Sequence, residues 1–76
     1  MRVVIQRVKE ARVEIEGRVT GSIGAGLVVL VGVSKADSHR DADYLVDKIL
    51  GLRIFPDDSG KMNRSIVEVN AGLLIV

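Results

Sequence analysis

The run Leu27-Val28-Val29-Leu30-Val31-Gly32-Val33 limits what this chain can fold into more than any other stretch. It is apolar on both faces of an extended backbone and rich in β-branched residues, so it predicts a strand at the centre of a sheet covered on both sides. The chain has 76 residues, room for one small domain. A domain of that size hides only about 60% of the surface its unfolded form exposes, so its core is marginal and needs support. Disulfides cannot supply it, because there is no Cys, and one His without Cys also removes thiolate chemistry and the usual zinc ligand sets. A partner subunit or further chain is left as the source of support.

Around the central strand the pattern reads as further β-structure with one helix. Val3, Ile5 and Val8 to Val13 lie among charges in a first extended stretch, and Val13-Glu14-Ile15-Glu16 alternates apolar with acidic as a half-buried strand does. Gly17 reverses it into Arg18-Val19-Thr20. After the polar Ser34 to Ser38 the period changes: Ala42, Leu45, Val46 and Ile49 follow helical spacing, while Arg40, Asp43, Asp47 and Lys48 point away. Asp37 or Ser38 can cap this helix; with Ser38 as N-cap Asp41 falls at the third helical position, and Gly51 sits where a C-terminal glycine cap belongs. The helix is expected over about residues 38–50. Leu52 to Phe55 reads as a short strand stopped by Pro56, Asp57 to Gly60 as a turn, Ile66 to Val69 as a short extended piece, and Leu73 to Val76 as a last buried strand. The expected class is α+β, a mostly antiparallel, barrel-like sheet with one amphipathic helix.

Charge and composition exclude several functions. With 11 Lys+Arg against 10 Asp+Glu the formal charge is +1, which is not that of a wholly basic nucleic-acid glove. The aromatics are Tyr44 and Phe55, too few for stacking platforms that hold single-stranded bases. Charges at positions 2, 7, 9 and 10 interrupt the start, which therefore reads as neither a signal peptide nor a membrane span; a cytoplasmic protein is expected.

Gly21-Ser22-Ile23-Gly24-Ala25-Gly26 invites comparison with phosphate-binding loops, but it leads into a β-run rather than a helix and lacks the Gly-Lys-Ser/Thr ending, so hairpin glycines are expected. Asp57-Asp58-Ser59-Gly60 lacks the ligand ladder of a calcium loop and reads as a solvated turn. His39 has no nucleophile near it in sequence, and Asp41, Asp43 and Asp47 read as the wet face of the helix. Arg7 stands out within Val4-Ile5-Gln6-Arg7-Val8: it is either an exposed strand residue or a buried clamp on a specific acceptor. Pattern alone assigns no nucleophile with a base, no metal set and no acid pair.

Taken together, Met1 to Val8 followed by Ala11-x-Val13, then Gly24-x-Gly26-Leu27-x-Val29-x-Val31-Gly32-Val33, then Lys48 to Phe55 and Gly60-Lys61-Met62-Asn63, resemble the N-terminal half of the D-aminoacyl-tRNA deacylase family, also called D-Tyr-tRNA(Tyr) deacylase. The resemblance runs the length of the chain in order. It implies that residues 1–76 are the first part of one deacylase domain, cut just before a Ser-Gln-x-x-Thr motif expected to follow Val76, with a Gly-Pro element further on. No catalytic residue is therefore assigned within the chain.

The resemblance further implies an esterase that frees D-amino acids, or glycine, from the 3′ end of aminoacyl-tRNA as a proofreading step in translation. It implies a homodimer with the active site at the subunit interface, and neither metal nor organic cofactor. By the same resemblance Arg7 braces the Gly-Pro element, and Lys61, Met62 and Asn63 lie near the substrate end; as plain sequence those three open a strand after a turn. A rival expectation is a non-catalytic, truncated β-domain that dimerises.

Overall fold

A computed structural model describes all residues from Met1 to Val76. The elements run β1 (Arg2–Val8), β2 (Ala11–Ile15), β3 (Arg18–Ile23), β4 (Gly26–Gly32), α1 (His39–Gly51), β5 (Phe55–Pro56), β6 (Met62–Arg64) and β7 (Gly72–Ile75). They fall into two compact units, one of Val3–Val31 with Ala71–Val76, the other of Met1–Arg2 with Gly32–Asn70.

The first unit holds a three-stranded sheet in the order β1-β4-β7 and a separate β2-β3 hairpin. β4 is central, as its composition requires, with Leu27 and Val29 at 0% and 1% exposure. Its second face is not closed: Val28 and Val31 are half-buried and Leu30 is 47% exposed, which corrects the expectation of cover on both sides. A continuous apolar run states that both faces can be buried, not that the same chain buries both. β4 and β7 are parallel, pairing Leu27 with Leu73 and Val29 with Ile75, while β2-β3 and β5-β6 are antiparallel, so the expected α+β class with mostly antiparallel strands and one helix holds, with a parallel pair at β4-β7. The ladder continues past β7, where Val76 N–H donates to Val29 O at 2.8 Å and Val31 N–H donates to Val76 O at 3.1 Å.

Gly26 and Gly72 set how closely these two strands meet. A Cβ on Gly26 would overlap the Gly72 carbonyl oxygen and lie 2.7 Å from its carbonyl carbon, so β4 has no room for a side chain there, while a Cβ on Gly72 would meet the Ile23 side chain at 3.0 Å. The hairpin turns at Glu16 (φ 51°) and Gly17 (φ 76°), two successive left-handed residues as a type I′ turn demands. The β2-β3 register shifts between Val13 and Glu14, and Thr20, the extra residue, donates its hydroxyl to the Val13 carbonyl at 3.2 Å.

The second unit contains α1 and the β5-β6 pair, with Ile49, Phe55 and Ile66 as its buried apolar residues. Ser38 caps the helix and Asp41 Oδ2 accepts the Ser38 N–H at 2.9 Å, as the spacing predicts. Two details differ. Val46 is 51% exposed, so the inner stripe is Ala42, Leu45 and Ile49. Gly51 is the last helical residue rather than a left-handed cap; the chain leaves through Leu52 in extended conformation (φ −66°, ψ 127°).

Leu52 to Ile54 are not strand: β5 is two residues long and includes Pro56, tolerated because a two-stranded pair leaves one side of each strand without a ladder. Ile66 to Asn70 form turns, not the extended piece expected from their β-branched content. Ser65 N–H donates to Glu68 Oε1 at 3.0 Å and Glu68 N–H to Ser65 Oγ at 3.2 Å, closing a reciprocal cap that bends the chain. No helix is long and apolar enough to cross a membrane.

Candidate functional site

Asp57 organises the segment that carries Lys61, Met62 and Asn63. Its Oδ1 accepts Ser59 N–H at 2.9 Å and Lys61 N–H at 3.0 Å. Its own N–H donates to the Lys61 carbonyl at 2.8 Å, and Gly60 N–H returns to the Asp57 carbonyl at 3.0 Å. Gly60 makes the reversal possible at φ 80°, a conformation that side chains rarely adopt. The Lys61 N–H chiefly, then the Ser59 N–H and the Asn63 side chain, hold the Asp57 carboxyl below the usual aspartate range, against a partial desolvation that raises it. The turn read from sequence as merely solvated is the anchor of the candidate segment.

On that anchor the β6 register places Met62 opposite Pro56 and Arg64 opposite Phe55, leaving Asn63 as the extra residue. Lys61, Met62 and Asn63 are all exposed, Met62 by 54%. The segment therefore offers an ammonium and a thioether outward from a backbone that is fixed by hydrogen bonds, while the Asn63 amide is engaged with the Asp57 carboxylate. Arg64, next in line, reaches Asp58 Oδ1 at 3.2 Å. Beyond it Glu68 is held below the ordinary glutamate range, first by the Ser65 N–H and hydroxyl, then more weakly by the charges of Arg53 and Arg64.

Arg7 belongs to the other unit, near the end of β1. The strand alternates, with Val3 and Ile5 half-buried and Val4 and Gln6 exposed. By that period Arg7 continues the Val3–Ile5 face, yet it is exposed. Of the two readings open from sequence, exposure on β1 is what this chain shows for Arg7. His39 is exposed at the first turn of α1, and no three His, Cys, Asp or Glu side chains converge where a metal ion could sit.

Two structural devices beside these residues escaped the sequence reading. Ser65-x-x-Glu68 has the spacing of a capping box and could have been found by that spacing alone. The Gly26–Gly72 approach carries no local signal, because it joins residues far apart in the chain.

The family model for D-Tyr-tRNA(Tyr) deacylase matches residues 4–76. A D-aminoacyl-tRNA deacylase of Solibacter usitatus (strain Ellin6076) is 59% identical over 76 residues, which are 100% of this chain and 50% of the relative. The D-aminoacyl-tRNA deacylase of Clostridium tetani (strain Massachusetts / E88) is 57% identical over the same length, 51% of that protein. Among solved structures, the c-Myc DNA Unwinding Element Binding Protein superposes with a TM-score of 0.94 at 38% identity, over 99% of this chain and 51% of the other. The chain thus spans about half the length of the curated relatives it matches. A family model that accounts for nearly every residue, on a fold whose strand order and close glycine pair are now described, makes this chain a member of the D-Tyr-tRNA(Tyr) deacylase family.

Proposed function

We propose that this chain, with the further length its relatives have, is a hydrolase that cleaves the ester between a D-amino acid and the 3′ end of tRNA, releasing the free D-amino acid and the tRNA. The observation that carries the reading is the 59% identity to a D-aminoacyl-tRNA deacylase over every residue of the chain. Glycine carried by the wrong tRNA is the second substrate proposed. The role is proofreading in translation, in the cytoplasm, with the aminoacyl-tRNA 3′ end as partner and no cofactor.

The chemistry suits a chain of this composition. An aminoacyl ester is already activated, so backbone N–H groups aimed at the developing oxyanion can supply several kcal/mol of transition-state stabilisation without a side-chain triad. We assign the catalytic donors to the sequence after Val76. Residues 1–76 contribute Arg7 as the brace for a neighbouring element of the active site and Lys61, Met62 and Asn63 as substrate-proximal groups. The active unit is a homodimer whose site lies at the subunit interface; surface left open on β4 and β7, with Leu30 47% and Ile75 63% exposed, supports further protein packing there.

The test is hydrolysis of D-Tyr-tRNA and L-Tyr-tRNA by the full-length protein, read as free amino acid released with time. Cleavage of the D-ester with the L-ester spared is expected, and no cleavage by residues 1–76 alone. An intact D-ester after prolonged incubation with the full-length dimer overturns the assignment. A second reading, a non-catalytic β-domain that dimerises, is favoured by the same open edge along β7. It predicts self-association of residues 1–76 in sedimentation together with no hydrolysis at full length.

A further inference from the structure

Sulfur occurs in these 76 residues as two methionines, Met1 and Met62, with no Cys. Met62 is 54% exposed, whereas Met1 is half-buried. The other exposed large apolar side chains are Val, Ile and Leu, with Tyr44 besides, none of which a mild peroxide oxidises as it does a thioether. A peroxide that reaches this surface therefore finds its most accessible sulfur at Met62.

The position of that sulfur is set by the backbone beneath it. Met62 pairs with Pro56 across β5-β6. Lys61, just before it, donates its N–H to Asp57 Oδ1 at 3.0 Å, and its carbonyl accepts the Asp57 N–H at 2.8 Å. A thioether on a backbone held in this way stands as a fixed apolar contact, so a change at the sulfur is felt by whatever packs on the segment rather than absorbed by a mobile loop.

We propose that Met62 is a reversible oxidation site through which peroxide lowers the enzyme's affinity for aminoacyl-tRNA; the regulatory part rests on the assignment of Met62 to the substrate end under the deacylase reading. A sulfur lone pair attacks one oxygen of the peroxide, the O–O bond breaks as the S–O bond forms, and the second oxygen leaves as water after taking up a proton. Sulfur is oxidised by two electrons and the peroxide is reduced by two. The product is a sulfoxide, a polar group with a strong acceptor oxygen where an apolar one stood, and packing substrate against it costs desolvation that the thioether does not. A methionine sulfoxide reductase reverses the step: the oxygen leaves as water while two thiols of the reductase become a disulfide.

The test treats the full-length protein and its Met62→Leu variant with hydrogen peroxide, then with a mixture of the two sulfoxide reductases and a dithiol. Peptide mass spectrometry follows the added oxygen at each Met, and kcat and KM on D-Tyr-tRNA are scored for each protein against its own untreated values. Met62 is expected to be oxidised several-fold faster than Met1. KM should then rise by about three- to tenfold with kcat little changed, and the reductases should restore it. Met62→Leu should keep its own untreated KM through the same treatment. Oxidation of Met1 before Met62 overturns the site, and an equal loss in Met62→Leu moves the effect to another residue. Should Met62→Leu not fold, restoration of the parent in step with the loss of the Met62 oxygen supports the proposal, and oxygen removed without restoration overturns it. An untreated protein that cleaves no D-ester overturns the deacylase reading and this regulation together, whereas an active protein whose KM survives full oxidation at Met62 overturns the regulation alone.

Discussion

Ser65 and Glu68 satisfy each other's backbone: Glu68 Oε1 accepts the Ser65 N–H at 3.0 Å and Ser65 Oγ accepts the Glu68 N–H at 3.2 Å. The Val69 N–H then donates to the Ser65 carbonyl at 3.2 Å, and Asn70 closes the bend at φ 53° before the chain enters β7. Ser65→Ala removes the hydroxyl acceptor and is expected to cost about 1 kcal/mol in denaturant unfolding of the full-length protein. Because the folded Glu68 carboxyl titrates below its ordinary value, its contribution is present above the unfolded glutamate pKa, about 4.3, and is lost as pH falls through the lower folded value. Glu68→Gln should flatten that part of the stability–pH curve, and a curve of unchanged slope would refute the role.

Gly26 and Gly24 separate two reasons for a glycine within one motif. An added methyl at Gly26 meets the Gly72 backbone, while one at Gly24 meets nothing within 4 Å. Gly26→Ala is therefore expected to cost about 3 kcal/mol or more by forcing β4 and β7 apart. Gly24→Ala should stay within about 0.5 kcal/mol of the parent. Chemical denaturation of the two variants side by side checks the pair, and similar midpoints would count against the close approach.

What could be read in advance was what is encoded within a few neighbours. The Ser38–Asp41 cap, the helical stripe through Ala42, Leu45 and Ile49, the turn at Gly17 and the central place of Leu27 and Val29 all follow from local spacing. At Ile66 to Val69 β-branched composition points to extended chain, but the Ser65-x-x-Glu68 spacing competes with it and wins. The open face of β4, the short β5 and the parallel partnership with β7 depend on residues distant in sequence, which periodicity does not see. The candidate site was legible only through resemblance. Lys61, Met62 and Asn63 carry no pattern of their own, and the Asp57 bonds that fix them come from a turn of ordinary composition.

Asp57 gives a second test by pH. Its carboxyl is lowered by the N–H groups it accepts, so the turn is held above the ordinary aspartate pKa, about 3.9, and released as pH falls through the lower folded value. Amide exchange at Ser59 and Lys61 should accelerate through that acid window, and in Asp57→Ala it should be fast at every pH. On the proposed function, Asp57→Ala in the full-length protein is expected to raise KM for aminoacyl-tRNA more than it lowers kcat, since it loosens the segment proposed to lie at the substrate end. Unchanged exchange in the variant would show that the turn holds without its carboxylate.

Arg7 is exposed on β1 in this chain, and because substitutions at exposed positions stay small, Arg7→Ala should change stability by no more than about 0.5 kcal/mol. If it braces an element of the complete active site through charge-assisted hydrogen bonds worth about 1.5–3 kcal/mol, deacylation of D-Tyr-tRNA should fall by about 10- to 100-fold. Arg7→Lys keeps the charge but not the planar fork, and recovers only part of the loss if two acceptors are held at once. The measurement is kcat/KM on D-Tyr-tRNA beside Tm and dimer mass for the three proteins. Parent-like activity in Arg7→Ala with the dimer intact would remove the brace, and a loss of activity that tracks a loss of Tm would reassign Arg7 to the fold.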